Sequence, residues 1–233
     1  MGRAVTNTAV GLLVVTTAVH LWAQWSGPLV LLEVTLFLLM PLLIICVLAG
    51  TRRRTGATGV LVVALILSWF GDVSGTAPVR GLLVDVGVSW AAALAAGAFL
   101  VKLVCFLLAH LAYIALFASH WRTSVVGRRR WRLIPYGMAV VVIVGVLLPY
   151  AAALGPAIVV YGVVIALMAA MATGLGRAAT VGGVLFMFSD TLVAVQQFVP
   201  GVSVTLTGVL IMLTYVAAQA LLAYGLVRHG NRR

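Results

Sequence analysis

The chain has 233 residues, 64% of them hydrophobic and only 8% charged, and carries a formal net charge of +11. A soluble domain has about a quarter charged residues, so this chain cannot cover a water-facing surface. A soluble enzyme, a nucleic-acid module and a disordered tail are excluded, and the bulk of the chain is expected inside a bilayer.

Spanning helices need about 20 mostly apolar residues. The N-terminal MGRAVT fits a myristoylation pattern at Gly2 and Thr6, but it runs straight into an apolar segment and is read as the approach to a first span. No small-residue cleavage site follows that run, so no cleaved leader is expected. With Gly, Pro and Arg clusters as punctuation, eight spans fall at roughly 6–25, 28–49, 57–76, 90–118, 134–151, 155–173, 179–199 and 204–227. They form one expected unit over 1–233, an all-α bundle of eight transmembrane helices. The fourth is long enough to tilt, kink or begin outside the membrane. The connections at 50–56 and 119–133 are short and basic. The one at about 77–89 holds Pro78, Arg80 and Asp85, with part of it expected along the membrane surface. Cys46 and Cys105 lie inside apolar runs and read as buried small hydrophobes, with no disulfide or metal spacing.

Eight spans put alternate connections on opposite sides. Arg3, Arg52 to Arg54, Arg122, Arg128 to Arg130, Arg132, Arg177, Arg228, Arg232 and Arg233 fall on one side, and only Arg80 on the other. This asymmetry places both termini in the cytoplasm, in a multi-pass cell membrane protein of the bacterial inner-membrane type. The net charge is therefore topology, with a secondary attraction to anionic headgroups.

The chain has four acids, and three of them, Glu33, Asp72 and Asp190, fall within spans, joined by His20, Lys102 and His110. Ionisable groups in a bilayer mark a functional interior. Helical spacing puts Ser68 and Asp72 on one face, likewise Lys102, Phe106, His110 and Tyr113, then Asp190 and Gln197, then Tyr215 and Gln219. At 1.5 Å rise per residue, Asp72, Lys102, Glu33 and His20 lie roughly 20–26 Å from the cytoplasmic edge, with Asp190 near the middle and His110 deeper toward the cytoplasm. These depths permit one connected cavity in the middle and outer half of the membrane. Structural roles stand beside the functional ones: an ion pair for Glu33, snorkelling or pairing for Lys102, packing or an interface place for His20, structural hydrogen bonding for His110, interhelical hydrogen bonds for Tyr113, Tyr215 and Gln219, and carbonyl bonding for Ser68 and Ser189. Asp72 and Asp190 are the hardest to explain structurally.

Four segments then carry a resemblance. SWFGD (68–72), FLLAHLAYIALF (106–117), GGVLFMFSDTLVA (182–194) and TYVAAQ (214–219), in that order, resemble the signature segments of the YhhN-like lysoplasmalogenase family. The resemblance implies eight spans over the whole length and hydrolysis of the vinyl-ether bond of lysoplasmalogens to a fatty aldehyde and a glycerophospho-base. It points to Asp72 and Asp190 as the catalytic pair, with Ser68, His110, Tyr113, Ser189, Tyr215 and Gln219 as substrate-binding residues. An amide also occurs at the second acidic position in that family. This chain departs from the pattern in three places. The stretch between Asp72 and His110 is longer, Lys102 stands where a glycine is usual, and Met40 precedes Pro41 where a lysine is common. A Lys102 paired with Asp72 would make that acid a weaker proton donor.

The chemistry suits two acids. Protonation of the β-carbon of a vinyl ether gives an oxocarbenium ion; water adds, and the hemiacetal collapses to aldehyde and alcohol. A free aspartic acid, with a pKa of about 3.9, is ionised at neutral pH, and burial or a second carboxylate is what keeps such a group protonated. The partner acid stays ionised, stabilises the cation and orients water. No cofactor or metal is required; a zinc site of His110 and the two aspartates is the alternative form. A one-chain lysophospholipid suits a cavity open sideways to the bilayer, with Arg80, Lys102 or a cytoplasmic arginine as donor to its phosphate. Competing readings are a proton- or cation-coupled transporter, favoured by the parallel placement of acids in spans three and seven, a retinal sensor, disfavoured because the one lysine lies in span four, and a non-catalytic structural protein. The 24 glycines and the alanine-rich 91–97 stretch suit close helix packing or, equally, a homodimer.

Overall fold

The computed structural model describes residues 2–76 and 91–231. Eight long helices make up most of them: α1 (Gly2–Ser26), α2 (Leu29–Gly50), α3 (Gly56–Val73), α4 (Ala91–Ala118), α5 (Ile134–Ala151), α6 (Gly155–Ala172), α7 (Arg177–Phe198) and α8 (Val204–Gly230). Each holds a stretch long and apolar enough to cross a membrane, and the protein is a multi-pass membrane protein. The expected ends hold to within a few residues. The third helix stops at Val73 rather than 76, where the Ser74 and Thr76 hydroxyls take the carbonyls of Gly71 and Val73 (2.9 and 2.7 Å). The eighth runs three residues past 227 to Gly230. The 119–133 connection is not an open loop: it folds into two 3₁₀ turns, Trp121–Thr123 and Arg130–Leu133, around one α-turn, Val125–Arg128. Pro78, Arg80 and Asp85, with the expected surface segment, lie outside the described residues.

Neighbours follow the order α1, α2, α3, α4, α6, α7, α8 and back to α1, with α8 also reaching α2 and α3, and α5 packed outside α6 and α7. Lipid tails are as apolar as leucine, so helices associate through close packing and hydrogen bonds. The sequence supplies small residues where the axes approach. A Cβ on Gly182 would stand 2.9 Å from the Ala218 carbonyl of α8, and one on Gly183 3.0 Å from the Ala169 Cα of α6. This glycine pair lets α7 press on both neighbours.

Pro41 shows a second device. A proline inside α2 removes the amide that would bond the carbonyl four residues back. That carbonyl, of Phe37, instead accepts the indole N–H of Trp69 on α3 at 3.0 Å. The orphan created on one helix thus ties it to the next, three residues before Asp72. Trp69→Phe is expected to lower stability by about 1 kcal/mol. In a Pro41→Ala background, Phe37 regains a partner within its own helix and the same change should cost less. Thermal unfolding of the four proteins in detergent measures the cycle; an equal cost in both backgrounds would refute the coupling.

Among the described residues, the arginines gather at one end of the bundle. There the Asn231 amide bonds the Gly50 carbonyl (2.9 Å) and accepts from the Arg52 amide (3.0 Å), and the Nε2 atoms of His120 and His229 meet at 3.0 Å. The Val125 amide reaches the Thr173 hydroxyl at 2.9 Å. Exposed apolar side chains such as Val14, Val30, Val141 and Val160 face outward along the spans, as a lipid-facing surface requires.

Candidate active site

Asp72 is the penultimate residue of α3, and Asp190 lies past the middle of α7. Both line one cavity, of about 90 Å³, in the half of the bundle away from the arginine-rich end. On this measure one water needs roughly 10–15 Å³, so the space holds several waters or a slender ether. Its walls are mostly apolar, with residues from α3 to α8, and its polar groups are Asp72, Lys102, Tyr161, Ser189, Asp190, Thr191 and Tyr215. Lys102 is the one basic side chain among them.

Each acid is held by a tyrosine. The Tyr215 hydroxyl donates to Asp72 Oδ2 at 2.8 Å, and the Tyr161 hydroxyl donates to Asp190 Oδ2 in a short hydrogen bond. Behind Asp72 the two four-residue spacings read from the sequence interlock. Asp72 pairs with Tyr215, and one turn below, Ser68 accepts from Gln219 Nε2 at 3.0 Å. The same nitrogen approaches the Tyr215 oxygen at 3.4 Å, while Gln219 Oε1 accepts from Tyr113 at 2.5 Å. One network therefore joins α3, α4 and α8, with Ser68, Tyr113 and Gln219 fully buried. Satisfied buried networks hold their members in one geometry, which here fixes the position of the Asp72 carboxylate.

His110 is fully buried, with its Nε2 3.7 Å from Asp190 Oδ2, longer than a hydrogen bond. Its ring packs edge-on to Phe186 (4.8 Å between centres) and Tyr161 (5.4 Å). Ser189 lines the cavity, but its hydroxyl is committed to the Ile211 carbonyl at 3.1 Å. Of the candidates, Asp72, Asp190, Ser189 and Tyr215 thus reach the cavity. Ser68, His110, Tyr113 and Gln219 form the shell behind it.

Three expectations change. The depth estimate set His20 and Glu33 at the height of Asp72 and Lys102, permitting them a place in one cavity, yet neither lines it. His20 is buried between α1 and α2, where its Nδ1 meets the Thr35 hydroxyl at 2.8 Å. Helical rise gives a residue's height and not the direction it faces; His20 takes the packing role also read for it. Among the described residues no three His, Cys, Asp or Glu side chains are close enough to hold a metal ion together, so the zinc alternative lacks its ligand set there. The third change is an addition: Tyr161 was not singled out. It sits alone in the apolar run AIVVYGVVIAL, and only the packing of α6 on α7 brings it to Asp190. Its one sequence signal is a lone phenol in mid-span, which in a bilayer calls for a hydrogen-bond partner.

The arrangement offers two carboxyl groups from different helices, two phenolic donors aligned on them, one cation and space for water, within apolar walls. A family model described as the YhhN family matches residues 33–226. No curated protein and no solved structure matches the chain.

Proposed function

Because the chain belongs to the YhhN family, we propose that it is an intramembrane hydrolase that opens the vinyl-ether bond of lysoplasmalogens through Asp72 and Asp190. The observation that carries this reading is the pair of carboxyl groups, one each from α3 and α7, on the wall of a single apolar cavity. The reaction needs one carboxylic acid to give a proton and one carboxylate to take it up, and the cavity wall offers both positions. The protonated member gives its proton to the β-carbon of the double bond. The ionised member faces the oxocarbenium ion and takes a proton from the water that adds to it. Collapse of the hemiacetal breaks the bond to the glycerol oxygen, which leaves as the alcohol, and the other product is the aldehyde. Water is the only co-reactant, and the pair regains its starting proton count.

Tyr161 and Tyr215 hold the acids in place through O–H donation. Tyr161→Phe is expected to lower kcat roughly tenfold or more with little change in KM, because it removes the hydroxyl that holds Asp190 and keeps the ring on the cavity wall. A change confined to KM would move Tyr161 to substrate binding. Lys102 supplies the cavity with a cation suited to the lipid phosphate. The arginine-rich end is assigned to the cytoplasm on charge asymmetry, which puts the cavity in the outer half of a cell membrane.

The test is aldehyde release by the purified, folded protein in detergent, from a vinyl-ether lysophospholipid beside its ester-linked counterpart. Release from the vinyl ether alone supports the proposal. Cleavage of the ester, or of neither lipid, contradicts it.

A further inference from the structure

A second concavity, of about 940 Å³, lies at the opposite, arginine-rich end, away from the two aspartates. Its wall includes Arg128, Arg129 and Arg132 from the 119–133 connection and Arg177 and Thr180 from the first turns of α7. The platform beneath is tightly joined. The Thr123 hydroxyl donates to the carbonyls of His120 (2.8 Å) and Gly174 (3.2 Å), and the Val125 amide donates to Thr173. A Cβ on Gly174 would stand 2.6 Å from the His120 carbonyl, and one on Gly127 2.6 Å from that of Trp121, so only glycine permits this closure. The segment therefore presents its arginines from a fixed scaffold.

Among the described residues, no carboxylate side chain lines this groove to answer these charges. Of the described acids, Asp72 and Asp190 line the other cavity, and Glu33 lies in the first turns of α2, away from this end. Gly176, the residue before α7, has φ +101° and no side chain of the chain caps the helix start. The first amides of a 22-residue helix, with their partial positive charge, therefore add to the same field.

We propose that this groove binds the phosphodiester of an anionic glycerophospholipid from the adjoining leaflet. A bilayer lipid is favoured as the source of the phosphate because the groove opens beside lipid-facing surface. Trp131 on its rim is 65% exposed, and Ile134 (58%) and Met138 (62%), next along α5, continue an apolar track down the outside of the bundle. Tryptophan at such a border sits at headgroup level. The arginines engage the phosphate, Thr180 and Tyr136 stand on the same wall for the headgroup hydroxyls, and the acyl chains run along α5. Guanidinium forks suit phosphate oxygens.

The experiment is lipid retention by native mass spectrometry, with thermal unfolding in parallel. The full-length protein is titrated with phosphatidylglycerol, with phosphatidylcholine, and with soluble glycerol phosphate or inorganic phosphate. Three proteins are compared: wild type, the groove variant Arg128→Gln/Arg132→Gln/Arg177→Gln, and an equal loss of charge elsewhere at that end, Arg52→Gln/Arg53→Gln/Arg54→Gln. The expected result is phosphatidylglycerol retention weakened roughly tenfold or more in the groove variant and changed little in the control. These arginine side chains are exposed, so both variants should unfold like wild type in lipid-free detergent. Equal weakening in the two variants would reduce the effect to diffuse surface charge and overturn the site. Soluble phosphate binding as tightly as the lipid would overturn the bilayer source. Because lipid retention needs no turnover, the outcome is independent of the hydrolase reading.

Discussion

Asp72→Asn and Asp190→Asn are each expected to lower vinyl-ether hydrolysis by roughly 10²–10⁴-fold, the usual range for a general acid or base, in a protein that remains folded. Asparagine keeps the shape and one acceptor oxygen. Tyr215 and Tyr161 can therefore still donate to residues 72 and 190, and the network through Gln219, Ser68 and Tyr113 stays satisfied. What disappears is the proton donor or the anion. Since the two act as one unit, the double variant should be little worse than either single one. Initial rates of aldehyde release, with unfolding curves as the folding control, decide the matter. Full activity in either single variant would rule out a two-acid mechanism.

The largest structural effect is expected from Gly182→Leu. The first added carbon would lie 2.9 Å from the Ala218 carbonyl and 3.0 Å from the Leu222 amide nitrogen. Both are backbone atoms that move only with their helix. Overpacking costs about 1–3 kcal/mol or more, and here it would separate α7 from α8. Because α7 carries Asp190 and α8 carries Tyr215 and Gln219, activity should fall along with stability. Gly11→Leu is the contrasting case. A Cβ there has nothing within 4 Å, so both properties should stay near wild type. The midpoint of thermal unfolding in detergent separates the two variants; equal midpoints would refute the close-packing argument.

The eight helices were legible because a bilayer imposes a length on apolar runs, and no tertiary information is needed to find such runs. The pairing of Ser68 and Asp72 with Gln219 and Tyr215 was half legible. Four-residue spacing shows that two polar groups share a face, and the structure supplies the fact that the two faces meet. Tyr161 was hidden because its partner is on another helix and its own neighbours in sequence are all apolar. Trp69 was read only as part of a motif and Pro41 only as a departure from one. Their link depends on an orphaned carbonyl that becomes visible once α2 is known to continue through the proline. The packing role read for His20 is what the structure shows, against Thr35 of α2, while height in the membrane alone, which carries no facing direction, allowed it and Glu33 a place in the cavity that they do not take.

The central claim is that a carboxyl group in the Asp72–Asp190 cavity delivers a proton to carbon. The most direct measurement is kcat/KM for vinyl-ether cleavage in H₂O and in D₂O, at matched positions on the pH profile. Proton transfer to carbon within the rate-limiting transition state makes the reaction clearly slower in D₂O, and the slowing should persist in the presence of a chelator. Equal rates in the two solvents, under conditions where the chemical step limits kcat/KM, would contradict proton delivery by the aspartate pair.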